Sequence, residues 1–85
     1  MPLMLRGLAF ICRTARETHE IPRAQIAAKA DVSEGTIRSF EQGQAWPREV
    51  EAIVEAYAGA LGVPAWELWK EGAGMMPELL RQALA

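Results

Sequence analysis

Apolar residues recur along this chain with the period of an α-helix, in short segments that turn residues separate. The first segment runs from about Leu3 to Glu17. Its apolar side chains stand at i, i+3, i+7 and i+10, which is one stripe of a helix: Leu5, Leu8, Cys12 and Ala15. No segment alternates apolar and polar residues as a half-buried strand does. The pattern therefore predicts an all-α fold.

Proline and serine residues divide the next part of the chain into two short helices. Pro22 disfavours helical structure at Ile21, so a second helix is predicted from Arg23 to Ala30. Ser33 is a good N-cap, because its hydroxyl can accept an unpaired backbone N–H, and it begins a third helix from about Glu34 to Gln42. Only a tight turn separates these two helices, which is the pattern of a helix-turn-helix.

Two more helices are predicted after Gly43, which suits the left-handed position that ends a helix. Pro47 suits the first turn of the fourth helix, which runs to about Ala60. A fifth runs from about Ala65 to Glu71. The predicted architecture is a compact bundle of about five helices with a helix-turn-helix, plus a short C-terminal helix.

The chain after the fifth helix is predicted to be an appendage to this domain. Gly72-Ala73-Gly74 has the composition of a flexible joint, and Pro77 opens a last amphipathic segment. Its apolar positions are Leu79, Leu80 and Leu84. Residues 1–71 are therefore predicted to form the helix-turn-helix domain, and residues 72–85 to form a joint and a C-terminal helix that is a candidate dimerisation element.

Length and charge restrict the function. A chain of 85 residues buries only a modest core, so its function is expected on the surface rather than in a deep cleft. The formal net charge of −2 is unfavourable for a DNA-binding protein. The charge is uneven, however: residues 1–50 carry seven basic and six acidic groups, and residues 51–85 carry two and five. A surface that faces DNA is therefore expected in the first half.

The residues that could carry catalysis or bind metal are few. Cys12 is the single cysteine, which rules out an internal disulfide, and His19 has no second histidine to complete a metal site. No Ser/His/Asp set, carboxylate pair or phosphate loop is visible. We therefore predict no catalytic residue, no metal and no cofactor. A reducing, cytoplasmic setting is expected, and the apolar run near the start is far shorter than a membrane span.

The third predicted helix has an outer face that could enter a DNA groove. At about 100° per residue, Ile37 and Phe40 face inward, whereas the opposite side carries small or polar residues: Gly35, Arg38, Ser39 and Gln42. Arginine can pair with guanine, glutamine with adenine, and serine with several bases. An ordinary helix face that contacts only solvent has a similar pattern. The periodicity therefore leaves open whether this face binds DNA or is simply solvated.

The residues from Gln25 to Gly43 closely resemble the helix-turn-helix domains of the Cro/phage-repressor family, also called the xenobiotic-response-element type. The resemblance covers about residues 5–71. It rests on Ile26-Ala27, Ala30, Val32-Ser33, Ile37, Phe40-Glu41-x-Gly43 and Ala60-Leu61-Gly62-Val63. It implies a sequence-specific, double-stranded-DNA-binding transcriptional regulator, such as a small phage or bacterial repressor.

The resemblance also implies which residues contact DNA. The predicted set is Arg23, Glu34, Gly35, Thr36, Arg38, Ser39, Gln42, Gln44 and Arg48. Arg23 stands where the family often has glutamine, and Asp31 stands in the turn where the family usually has glycine. Glu34 repels phosphate, although it can accept from cytosine N4 and suits the positive end of the helix dipole.

An ion pair between Arg16 and Glu41 is the last residue contact that the resemblance implies. It also has a physical reason, because a partly buried carboxylate at the end of a helix needs a cationic partner that donates hydrogen bonds. The predicted role of this pair is structural.

Aromatic residues of the fifth helix give the partner hypotheses. In the family that the chain resembles, Trp69 and Leu68 match core positions, whereas Trp66 matches a position that is usually polar. An exposed tryptophan is typical of an interface. We predict a homodimer through Trp66 and the C-terminal helix. The alternative is a protein-interaction module on the same fold, like an antirepressor or antitoxin, which the acidic second half and Glu34 would suit.

Overall fold

The computed structural model describes residues 3–44 and 48–74, and within these ranges the regular structure consists of five α-helices. They are α1 (Leu3–Thr18), α2 (Arg23–Ala30), α3 (Glu34–Glu41), α4 (Val50–Leu61) and α5 (Ala65–Gly74). The predicted all-α fold is confirmed. The predicted C-terminal helix, with Pro77, Leu79, Leu80 and Leu84, lies outside the described residues, as does Pro47.

The turn between α2 and α3 has the predicted geometry. Asp31 adopts the left-handed conformation, with φ 57° and ψ 47°, which aspartate tolerates better than most residues other than glycine. The Val32 backbone N–H then donates to the Ala27 carbonyl oxygen at 3.0 Å. Ser33 caps α3, since its Oγ accepts the Thr36 backbone N–H at 3.1 Å. The backbone N–H groups of Asp31 and Val32 thus bond to the end of α2, and Ser33 caps the start of α3.

The predicted start of α4 and the predicted end of α5 are wrong, the first for a local reason and the second because of tertiary packing. Helix α4 begins at Val50 rather than around Pro47, because Glu49 has a non-helical backbone with φ −95° and ψ 36°. Helix α5 continues to Gly74, through the residues that were predicted to form a flexible joint. Gly72 is buried in that helix, and a Cβ there would lie 2.8 Å from the Leu8 Cα. The glycine therefore permits close packing of α5 on α1 instead of a joint.

The core lies where α1 packs on α5 and α2 packs on α3 and α4. Its largest fully buried side chains include Tyr57, Phe40 and Leu8, and the Phe40 and Tyr57 rings are tilted at 51° with centroids 6.0 Å apart. Leu68 is buried as predicted, and Trp69 is partly buried against the same core. None of the described helices is long and apolar enough to cross a membrane.

Candidate nucleic-acid interface

Helix α3 presents one polar face to solvent. Arg38 and Gln42 are exposed and Ser39 is half-buried on that side, whereas Ile37 and Phe40 are fully buried on the other. Within the described residues, the side chains of Arg38 and Gln42 form no hydrogen bond or ion pair, so their polar atoms can bind an external partner. This arrangement agrees with the predicted helix orientation.

One of the predicted DNA contacts in the first turn of α3 also takes part in the N-terminal cap of the helix. Glu34 and Gly35 are exposed, and a Cβ on Gly35 would meet only the Ser33 Oγ, at 3.7 Å. Thr36 is half-buried, and its Oγ1 lies 3.0 Å from the Ser33 Oγ. Its hydroxyl therefore takes part in the helix cap. This is a structural role in addition to the DNA contact that was predicted for Thr36.

The remaining predicted contacts lie at the ends of neighbouring elements. Gln44 is exposed after α3, where its backbone N–H donates to the Ser39 carbonyl oxygen at 3.1 Å. Arg48 is exposed two residues before α4 begins. Arg23 is the first residue of α2, and its side chain is 32% exposed. The two arginines thus add positive charge at the start of α2 and shortly before α4.

The inner side of α3 ends in a buried carboxylate with several donors, which we call the Glu41 cluster: Glu41, Arg16, Arg23 and Tyr57. The Arg16 Nε donates to the Glu41 Oε2 at 2.7 Å, and the Arg16 Nη2 donates to Oε1 at 2.9 Å. The Arg23 Nε donates to Oε1 at 3.0 Å, and the Tyr57 hydroxyl donates to Oε2. The predicted pair of Arg16 and Glu41 is thus confirmed, as part of a larger network.

The network compensates for the burial of charge. The Glu41 side chain is 0% exposed, and an unpaired carboxylate in such a position would be protonated or would destabilise the fold strongly. Burial raises its pKa, but the hydrogen bonds from Arg16, Tyr57 and Arg23 outweigh burial and hold the pKa below its ordinary value. The Arg16 Nη1 donates to the Ile21 carbonyl oxygen at 2.9 Å, so this arginine also fixes the chain before α2.

Two contacts of the Glu41 cluster were not predicted from the sequence. Tyr57 was not among the candidate site residues, and Arg23 was predicted to contact DNA alone. One available signal was the capacity of Glu41, because a carboxylate accepts about four hydrogen bonds and a single arginine does not fill it. Burial and the hydrogen bond to Glu41 raise the pKa of the Tyr57 phenol above its ordinary value, which keeps it a donor.

Cys12 lies in the core, on the predicted apolar stripe of α1, whereas His19 lies on the surface. Cys12 is fully buried, and burial together with the charge of Glu41 raises its pKa to about 12, so it stays a thiol near neutral pH. His19 is exposed at the end of α1, where its Nδ1 lies 2.9 Å from the Ala15 carbonyl oxygen. Cys12 therefore contributes to core packing, and His19 makes a local contact at the end of α1.

No protein-family model, curated protein or solved structure matches this chain. The resemblance to the Cro/phage-repressor family thus remains a prediction from the residues quoted above.

Proposed function

We propose that the chain is a sequence-specific, double-stranded-DNA-binding transcriptional regulator in which α3 enters the major groove. The observation that carries this proposal is the exposed face of α3, where Arg38 and Gln42 have free polar groups and Gly35 has no side chain. Arginine and glutamine are the side chains that pair with guanine and adenine through two hydrogen bonds. The outer face of α3 begins with two exposed residues, Glu34 and Gly35, and only one of them has a side chain beyond hydrogen.

Rigid support behind α3 favours the same function. Glu41 binds residues of α1, α2 and α4 at once, through Arg16, Arg23 and Tyr57. A helix that reads bases has to be held in one orientation, because base contacts tolerate little displacement. The Glu41 cluster provides that orientation and leaves the outer face of α3 unoccupied.

The charges predict a modest electrostatic contribution to binding. Arg23 and Arg48 are the cations best placed for phosphates, and Arg23 is already shared with Glu41. Each phosphate neutralised changes the slope of log affinity against log salt concentration by about −0.9, so two arginines predict a slope of about −2 for each chain. Affinity must therefore depend on base contacts more than in a strongly basic protein.

Occupancy of the operator DNA by the chain would by itself regulate transcription. A small domain that covers an operator prevents another protein from binding there, which is how a phage or bacterial repressor acts. In this function the chain would act in the cytoplasm, where the DNA is. It assigns no catalytic step to the chain. Glu34 fits this mode through cytosine N4 or through the dipole of α3.

The test is selection of bound sequences from a pool of random double-stranded oligonucleotides at low salt. We expect enrichment of a short shared sequence, and Arg38→Ala should weaken binding to it by about 1–3 kcal/mol with selectivity lost at one position. The control is Lys29→Ala, which removes an equal charge from an exposed position beside α4. It should leave binding unchanged.

The outcomes separate the proposal from a protein-interaction module on the same fold. Enrichment of a shared sequence, with selectivity that Arg38→Ala loses at one position and Lys29→Ala keeps, would support DNA recognition through α3. Failure to enrich any duplex at low salt would reject it, and a protein ligand for the face with Glu34 would then be sought. Equal losses in both variants would indicate non-specific attraction instead of recognition.

A further inference from the structure

An arginine-lined groove lies beside the outer face of α3, and most of its residues are not among the predicted DNA contacts. It lies between α1 and the residues that follow α3, and its volume is about 150 Å³. Its lining includes Arg6, Phe10 and Arg13 on one side and Gln42 and Gly43 on the other. We call it the α1 groove. A cavity of that volume can hold a benzene ring, so the groove has room for a phosphate group.

The two arginines of the α1 groove lie on one side of α1. They are seven residues apart, which is almost two full helical turns and about 10 Å along the helix axis. Phe10 lies between them and is 48% exposed, so the described chain leaves this side of the helix uncovered. The other exposed large apolar side chain among the described residues, Trp66 on α5, is 62% exposed and lies outside the groove.

Both guanidinium groups of the α1 groove are available to an external ligand. Arg6 is exposed and forms no hydrogen bond or ion pair within the described residues. Arg13 donates through its Nε to the Glu17 Oε1 at 3.3 Å, and within the same residues its two Nη groups have no partner. Both side chains of this pair are about half exposed, and exposed pairs contribute little to stability. Arg13 can therefore bind a second anion at little cost.

The charge around the α1 groove has the opposite sign to that of the whole chain. Arg6 and Arg13 line the groove, and the Glu41 carboxylate behind it is paired with the two arginines of the Glu41 cluster. Together with Glu17, these are four arginines against two carboxylates, which leaves a net charge of +2 in a chain whose formal net charge is −2. The local charge therefore favours an anionic ligand.

Gln42 connects the α1 groove with the proposed DNA-reading face. Its side chain lines the groove, and it also lies with Arg38 on the exposed side of α3. A helix that lies in the major groove has a phosphate backbone on each side, and most protein–DNA hydrogen bonds go to that backbone. A duplex on the outer face of α3 would thus bring phosphates to the α1 groove. This continuity favours a DNA phosphate over an acidic protein segment.

We propose that Arg6 and Arg13 bind phosphates of the DNA strand that passes next to Gln42, so that α1 forms part of the DNA interface. Arginine suits this role because its planar guanidinium donates two parallel hydrogen bonds to a phosphate. The contact rests on the proposed function and adds two phosphates to it. With Arg23 and Arg48, four arginines predict a slope of log affinity against log salt concentration of about −4 instead of about −2.

The test measures binding of the full chain to two labelled duplexes, the selected sequence and an unrelated one, over a range of salt concentrations. The double variant Arg6→Gln/Arg13→Gln should lose about tenfold in affinity for each arginine near about 50 mM salt, and its slope should be smaller by about 2 on both duplexes. The matched control Lys29→Gln/Lys70→Gln removes the same charge from exposed positions of α2 and α5 and should change neither quantity appreciably. Circular dichroism verifies that both variants keep their helices.

The outcomes distinguish a failure of the α1 contact from a failure of the proposed function. Selective binding that requires Arg38, with the same affinity and slope in the arginine double variant, overturns the α1 contact and leaves base recognition by α3 intact. Losses confined to the arginine double variant support the α1 contact, even where neither duplex is preferred and base recognition fails. Equal losses in both double variants overturn the α1 contact, because net charge then accounts for them.

Two other anions are titrated in the same way without DNA, inorganic phosphate and poly-glutamate. The α1 contact is overturned if the wild type binds neither duplex at low salt, and binding of poly-glutamate that requires Arg6 and Arg13 would then assign the groove to an acidic protein segment. It is also overturned if inorganic phosphate binding requires these arginines while duplex affinity does not, because the groove would then hold a free anion.

Discussion

The two sides of α3 differ sharply although the helix has only eight residues. Its inner side ends in Glu41, which is buried and accepts four hydrogen bonds from three side chains. Its outer side carries Arg38 and Gln42, which are exposed and unengaged within the described residues. Polar residues on one short helix thus serve stability on one side and remain available for recognition on the other.

The contrast implies that stability and binding can be changed separately. Substitutions in the Glu41 cluster should lower the free energy of unfolding by about 1.5–5 kcal/mol. Substitutions on the outer face should change it by about 1 kcal/mol or less and should alter mainly what the helix binds. The following predictions test that division, beginning with the largest effect.

Glu41→Ala should have the largest effect on stability. It leaves the buried Arg16 without its carboxylate, and breaking a buried ion pair from one side costs about 3–5 kcal/mol. Urea denaturation followed by circular dichroism measures the loss. Since small domains have about 5–15 kcal/mol in total, part of the population could already be unfolded at 25 °C.

Glu17→Ala is the matched control for that loss. Glu17 also pairs with an arginine of α1, at 3.3 Å, but in an exposed position. Its removal should change the unfolding free energy by less than about 1 kcal/mol. Equal effects of the two substitutions would contradict the distinction between the buried cluster and the surface.

Tyr57→Phe should have the next largest effect. It removes one donor to Glu41 and keeps the ring that packs against Phe40. A hydrogen bond to a charged group contributes about 1.5–3 kcal/mol, so the midpoint of urea unfolding should fall with an unchanged slope. An unchanged midpoint would show that the phenol contributes only packing.

Acid should remove the contribution of Glu41. Its pKa in the folded protein lies below the unfolded value of about 4.3, so the stabilisation is complete above that value and is lost as the pH falls through the folded pKa. The measurement compares unfolding free energies of the wild type and Glu41→Gln between neutral pH and about pH 3. The difference should shrink below about pH 4.3, and a difference that grows there would mean that the pKa is raised instead.

Gly35→Ala should have the smallest effect on stability, and the effect should be favourable. Alanine gains about 0.5–1 kcal/mol over glycine in a helix, and the new Cβ would meet only the Ser33 Oγ, at an ordinary 3.7 Å. If α3 lies in the major groove, the same methyl group should weaken binding to the selected duplex.

Gly59→Ala provides the comparison for that test. Gly59 is an exposed residue of α4 with no atom within 4 Å of a built Cβ, so alanine should stabilise the fold to a similar extent. Binding to DNA should not change. A variant of Gly35 that is more stable and binds DNA as well as the wild type would remove the argument for close approach at this position.

The sequence alone determined the helices and the turn between α2 and α3, because these depend on local interactions. Periodic apolar residues, the Ser33 cap and the turn at Asp31 act within a few residues of one another, and the structure has all of them. The pairing of Arg16 with Glu41 could be predicted from the family resemblance together with the need of a buried carboxylate for a cation.

Only the tertiary structure decided which distant side chains share the buried carboxylate and how closely the first and last described helices approach. Tyr57 reaches Glu41 from another helix, and Gly72 allows α5 to lie against Leu8 where the composition predicted a flexible joint. Such contacts join residues that are far apart in the chain, and their energies depend on burial and on helix packing. Residue order sets neither quantity directly, whereas the helix periodicity, the caps and the turn were determined by the sequence itself.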